Sequence, residues 1–205
     1  ARLYGRPHLL AERVDGELKQ EVHSMAETIR WGILSTAKIA RNTLIPAIRE
    51  SSNGTVAAVA SRDIDRARQF AREQEIPTAH GSYEDLLADP RVDAIYNPLP
   101  VGLHAEWSVR AAGAGKPVLC EKPMARNADE VRQMIEAFAQ RDLLLAEALM
   151  YRYHPLTRRA LQLLRDGEIG ELRAVRASFH CACYDAERNI RFNRELGGGS
   201  LLDVG

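Results

Sequence analysis

Ile29-Arg30-Trp31-Gly32-Ile33-Leu34-Ser35-Thr36-Ala37-Lys38-Ile39-Ala40 is the stretch on which the fold turns. Its first six residues form an apolar run of strand length. From 38 to 51, Ile39, Leu44, Ile45 and Ile48 recur at helical spacing, so the segment reads as strand, tight turn, helix. Pro46 lies inside that helix and is expected to kink it. A parallel sheet is built from repeats of this unit.

Further units follow. Residues 56–60 read as a buried strand, and Asp63 opens a helix with Ile64, Ala67, Phe70 and Ala71 on one face. After a short helix at 83–87 comes a strand at 92–96, then a helix at 104–114 and a strand at 117–120. A helix at 127–140, carrying Val131, Met134, Ile135 and Phe138, and a strand at 143–149 complete the series. With the strand running into Asn97 taken as the fourth, the count is six, of which five are located and the third is not. That suffices for an α/β, Rossmann-type, doubly wound parallel sheet over residues 25–150.

The period then changes. Val175, Ala177, Phe179, Cys181 and Cys183 alternate with Arg176, Ser178 and His180, which predicts a strand over 171–183 with one wet face. A helix at 156–165, ended by Asp166-Gly167, joins the parts, so the boundary falls near Met150. Residues 151–205 are thus expected to begin an α+β domain with a mostly antiparallel sheet. One strand and one helix cannot cover that strand's apolar face, so the chain is expected to be a fragment.

Composition narrows the function. Lys plus Arg and Asp plus Glu each total 28, leaving no net field for a nucleic-acid or anionic-membrane partner. The longest apolar stretches, such as 143–150 with Glu147 inside it, fall far short of the roughly 20 residues that span a bilayer. Three cysteines leave one unpaired, and no secretory segment opens the chain, so a cytoplasmic location is expected. Residues 1–24 carry charges throughout and precede Met25; they read as an extension or disordered segment, with an N-terminal helix packed on the domain as the alternative. His180, Cys181 and Cys183 resemble a metal cluster, but strand alternation turns His180 away from the cysteines, and no metal site is expected.

The candidate chemistry sits at the turns. A dinucleotide fold places its pyrophosphate on the amides opening the first helix, usually with the glycine fingerprint G-x-G-x-x-G. Here Ser35, Ala37 and Ala40 occupy the glycine positions. They are small enough for close backbone approach, with Thr36, Lys38 and Ile39 between them and the Ser35 and Thr36 hydroxyls as added donors. An ordinary strand-to-helix turn would look the same. After the second strand stand Ser61 and Arg62, where an acidic residue would bind the ribose of NAD; a hydroxyl and a guanidinium suit a 2′-phosphate better, favouring NADP over NAD. Alternatively Arg62 points to solvent and Asp63 merely caps the next helix. The fourth strand ends in Asn97-Pro98-Leu99-Pro100, with His104 beyond it as a capping, packing or site residue. The fifth runs into Glu121-Lys122-Pro123, bringing an ammonium to the crevice edge, where it can bond a substrate oxygen or exchange a proton with it.

Taken together, Glu121-Lys122-Pro123, Asn97-Pro98 with His104, Tyr151-Arg152-Tyr153-His154-Pro155 and Gly197-Gly198-Gly199-Ser200-Leu201-Leu202-Asp203 resemble the glucose-fructose oxidoreductase, inositol dehydrogenase and rhizopine-catabolism (Gfo/Idh/MocA) family. Trp31-Gly32-Ile33-Leu34-Ser35-Thr36-Ala37 and Asn189-Ile190-Arg191-Phe192 are most similar to its branch of dihydrodiol and NADP-dependent xylose dehydrogenases. The resemblance implies a Rossmann domain followed by an open antiparallel sheet that carries the substrate pocket and often a homo-oligomer interface. It implies Lys122 as the catalytic or substrate-orienting lysine, Asp203 as a pocket residue, and Asn97, Pro98, His104, Glu121, Lys122 and Arg152 on the cofactor side. Read from the residues alone, Tyr151, Arg152 and His154 are only a polar domain junction. The family's further histidine or tyrosine would fall beyond Gly205, so this chain alone is expected to be inactive.

The function these features imply is hydride transfer between NADP(H) and a carbinol or carbonyl of a sugar, cyclic polyol or vicinal diol. A non-enzymatic dinucleotide-binding regulator on the same fold is the competing reading, and a scaffold without cofactor a third. An intact Lys122 argues against the regulator.

Overall fold

The computed structural model describes residues 28–180 and 189–204. The expectations for residues 1–24, Met25, Cys181 and Cys183 lie outside the described residues. Six parallel strands form one sheet in the order β3-β2-β1-β4-β5-β6: β1 (Ile29–Leu34), β2 (Gly54–Ala60), β3 (Thr78–His80), β4 (Ala94–Asn97), β5 (Val118–Cys120) and β6 (Leu145–Glu147). The chain runs outward from β1 to β3, then returns to place β4 against the other side of β1. The order therefore reverses between β1 and β4, and a crevice opens there at the carboxyl ends.

Each connection has a local cause. α1 (Ile45–Glu50) follows a π-helical turn over Ala40–Leu44, with Pro46 in its first turn. The expected kink is thus a wide turn, since proline has no N–H to give and its ring crowds the carbonyl four residues back. α2 (Ile64–Glu73) is capped by Asp63, whose carboxylate accepts from the amides of Asp65 and Arg66, and it buries Ala67, Phe70 and Ala71. α3 (Tyr83–Ala88), α4 (His104–Gly113) and α5 (Ala128–Ala139) complete the layers, with Ser82 capping α3 and Asn127 capping α5. β3 is the strand that no apolar run marks. Its three residues are half-buried at the sheet edge, held by pairing with β2.

Two apolar layers cover the sheet. One gathers Leu34, Ala58, Leu86, Ile95, Trp107, Met134 and Phe138; the other gathers Ile33, Ile45, Val59, Phe70 and Tyr96.

Beyond Met150 the picture changes. α6 (Pro155–Arg165) is amphipathic, but Leu156 is 72% exposed. The strand expected over 171–183 is corrected: among its described residues, 171–180, there is no strand, and Val175 and Phe179 lie in the open. Alternation alone does not make a strand, because the backbone groups need a ladder partner and the apolar face needs a cover, and none of the six sheet strands pairs with residues 171–180. The last described piece, Asn189 to α7 (Ser200–Val204), behaves differently and folds over the crevice.

Candidate active site

Three turns and one returning segment make the site. After β1 the backbone turns at Ser35, whose φ of +80° is in the left-handed region where the fingerprint would have glycine. Its amide donates to the Ala60 carbonyl at 2.9 Å, and the helical chain begins at Lys38. A serine held in this conformation costs about 1–3 kcal/mol, so its surroundings impose it. Ser35, Thr36 and Ala37 are half-buried, Lys38 and Ile39 exposed, and Ala40 fully buried beneath them. After β2, Ser61 is buried, its amide bonded to the His80 carbonyl, while Arg62 is exposed. Burial pushes the Tyr83 phenol up, and the guanidiniums of Arg62 and Arg66 pull it partly back.

The β4 and β5 turns are tied together by buried side chains. Tyr96 donates its phenol to Glu121 Oε1 at 2.6 Å, and the other Glu121 oxygen accepts from the Lys122 amide at 3.2 Å. Burial, reinforced by the Glu121 carboxylate, holds that phenol protonated far above its ordinary range. Asn97 is fully buried; its amide donates to the His104 carbonyl and to Ser108 Oγ, and its oxygen accepts from the Leu99 amide. His104, 1% exposed, lies with Nδ1 2.9 Å from the Pro123 carbonyl and Nε2 2.6 Å from the Leu99 carbonyl. The Lys122–Pro123 peptide bond is cis, and the Met124 amide donates to Glu147 at 2.8 Å. Beneath this turn, burial pushes the Cys120 thiol up to about 12, which makes it inert at neutral pH.

Lys122 then reaches into the crevice. Its ammonium donates to Asp203 Oδ1 at 3.0 Å and to the Asp203 carbonyl at 2.6 Å, while Arg191 Nε donates to Asp203 Oδ2 at 2.7 Å. Burial raises the Asp203 carboxyl, but the bonds from Arg191 and Lys122 outweigh it, holding the group below the usual carboxylate range. These residues meet because the segment from Asn189 docks on the Rossmann domain, with the Gly102 amide donating to the Leu196 carbonyl at 3.0 Å. The glycines permit this approach. A Cβ on Gly198 would stand 2.6 Å from the Arg191 carbonyl, and Gly197 has a φ of +81° with Val101 against it.

Thus the structure brings Lys122, Asp203, Glu121, Pro98, His104 and Ile39 to one crevice, with Ser35 to Lys38 opening the adjacent helix. Ser61 and Arg62 stand one strand away at the end of β2, and Arg152 lies exposed outside the crevice lining. Sequence reasoning did not single out Tyr96 or Arg191 as site residues. A tyrosine at the end of an apolar strand carries no site signal of its own, and no spacing announces that Arg191 shares the Asp203 carboxylate. Among the described residues no cluster suited to a metal ion occurs, and no helix is long and apolar enough to cross a membrane.

The chain belongs to the Gfo/Idh/MocA oxidoreductase family. The family's NAD-binding Rossmann-fold model matches residues 29–149, and its C-terminal domain model matches residues 157–205. It is 47% identical over 175 residues to D-xylose 1-dehydrogenase (NADP(+)) 2 of Haloferax volcanii, covering 85% of this chain and 53% of the relative. It is 39% identical to trans-1,2-dihydrobenzene-1,2-diol dehydrogenase of Sus scrofa, covering 86% of this chain and 52% of that one. Among solved structures, KijD10, a 3-ketoreductase from Actinomadura kijaniata in complex with NADP and TDP-benzene, superposes with a TM-score of 0.81 at 38% identity, over 87% of this chain and 54% of that chain. The chain therefore spans about half the length of the relatives it matches.

Proposed function

We propose that the full-length protein is an NADP-preferring dehydrogenase or reductase acting on a carbinol or carbonyl of a sugar, cyclic polyol or vicinal diol. The observation that carries this is the Lys122 ammonium, delivered by β5 to the crevice at the sheet's reversal point and paired there with Asp203. The β1 turn fits a dinucleotide: small, half-buried side chains at 35–37 leave the backbone open where helix amides begin, and Ser35 already has the conformation of the glycine it replaces. Ser35, Thr36, Ala37, Lys38 and Ile39 would hold the pyrophosphate side, and Ser61 and Arg62 the adenosine 2′-phosphate. When bound, the dinucleotide supplies the hydride or accepts it.

The chain's own groups do the rest. Lys122 donates a hydrogen bond to the substrate oxygen and stabilises its developing charge, passing it a proton in reduction and receiving one in oxidation. Asp203 orients the ammonium, and Arg191 holds Asp203 from its other side. The NADP-dependent D-xylose dehydrogenase and the dihydrodiol dehydrogenase that this chain resembles support this substrate class. We place the domain boundary near Met150, with a cytoplasmic homo-oligomer as the complete assembly.

The test is turnover of D-xylose, a cyclic polyol and a trans-dihydrodiol by the full-length protein with each dinucleotide. Lys122→Met should reduce the rate on the best of these by about 10²–10⁴-fold and leave dinucleotide affinity within a few-fold. No turnover of any probe by the parent would favour the regulator. A Met variant within a few-fold of the parent would remove Lys122 from the chemistry.

A further inference from the structure

We propose that His104 is a positioning residue for Lys122: buried between the Leu99 and Pro123 carbonyls, it sets the spacing between the turn that carries the lysine and the loop leaving β4, and so where the ammonium stands in the crevice. The inference rests on the reading of Lys122 as the group that serves the reacting oxygen.

Both ring nitrogens of His104 face backbone carbonyls, at 2.9 Å and 2.6 Å, and the ring is 1% exposed. Carbonyls only accept, so the single N–H of the neutral ring donates to one of them, the tautomer deciding which, and the ring is packed between the two. Burial pushes the imidazole below its ordinary range against the pull of those carbonyls and of Glu121. In its neutral form the ring donates to one carbonyl at a time; in its charged form it holds both.

The grip matters because of where it falls. The three residues around the ammonium's backbone are each held by a different element: Glu121 by Tyr96 of β4, Pro123 by His104 of α4, and Met124 by Glu147 of β6. Proline has no N–H, so its carbonyl is its one polar backbone group, and His104 Nδ1 stands 2.9 Å from it. The histidine's own backbone is pinned in turn by the buried Asn97 amide on its carbonyl at 3.2 Å. A chain of buried contacts thus runs from β4 through α4 to the residue following Lys122. A displacement of about 1 Å in such a group can cost about 100-fold in rate while leaving binding intact.

The experiment is a double-mutant cycle in the full-length enzyme, using the fastest of the three probe substrates and a fluorescence titration of NADPH. His104→Phe keeps a ring and removes the N–H donor and both ring nitrogens; kcat should fall about 10- to 100-fold, with the NADPH Kd and substrate KM within threefold. His104→Gln keeps an amide donor and should lose less. In the Lys122→Met background, His104→Phe should produce no further fall, because the histidine acts through the lysine. An equal fall in both backgrounds, an unchanged kcat, or a loss of NADPH affinity with kcat preserved would each overturn the assignment. So would failure of both histidine variants to fold, which would make His104 a folding residue. A parent that turns over no probe, or a Lys122→Met variant that remains active, breaks the underlying reading instead.

Discussion

Residues 28–149 and the residues after Met150 carry similar patterns of apolar and polar residues, yet only the first region buries them. Among the described residues, every fully buried core side chain lies at or before Phe138. In the second region Leu156, Val175, Phe179 and Leu201 are each more than half exposed, despite a well-formed amphipathic helix and a strand-like alternation. The difference is one of partners. All six strands of the Rossmann sheet and the helices that cover them lie within about 120 consecutive residues, so each apolar face finds its complement. The second region folds where it meets the first, at the crevice through Gly102, Lys122 and Asp203.

This comparison can be broken at several points. The strongest is the core: Phe138→Ala in the 205-residue chain should cost about 3–5 kcal/mol, about 10 °C in the thermal midpoint, whereas Leu156→Ala should stay within about 0.5 kcal/mol. Similar losses at the two sites would show that the second region is packed after all.

A smaller effect sharpens the account of the first region. Asp89 is buried beside His80 and Arg91, and hydrogen bonds from Arg91 above all hold its carboxyl far below the usual range, against the opposing effect of burial. A depressed folded pKa means the stabilisation is present above the unfolded value of about 3.9 and is lost as the pH falls through the folded one. Asp89→Asn should therefore destabilise the domain by about 1.5–3 kcal/mol at pH 7. Denaturant titrations should show the gap to the parent narrowing below about pH 4. A gap that stays constant down to pH 2 would mean that the charge contributes nothing.

The smallest and most selective effect concerns Arg62, exposed at the end of β2. Arg62→Ala should weaken NADPH by about 1–3 kcal/mol and leave NADH nearly unchanged. Equal weakening of both would show that this guanidinium does not read the 2′-phosphate.

How much of this was legible beforehand follows from the range of the forces involved. β1, β2, β4, β5 and β6 are apolar runs between turn residues, and each was recognisable within a few positions of its final bounds. β3 was counted without being located, because Thr78, Ala79 and His80 have no apolar signature and become a strand only through β2. Lys122 and Asp203 were singled out separately by motif, 81 positions apart, and their pairing appears only in the folded chain.

The sequence by itself determined the period of each element, the small side chains at the β1 turn and the residue types at the strand ends, because these depend on neighbours a few positions away. Tertiary structure decided the rest. It turned His104 and Asn97 inward onto backbone groups, joined Tyr96 to Glu121 and Arg191 to Asp203, and denied residues 171–180 a strand. A hydrogen bond or a ladder needs a partner at a fixed distance in space, and where that partner stands is a property of the whole packed sheet.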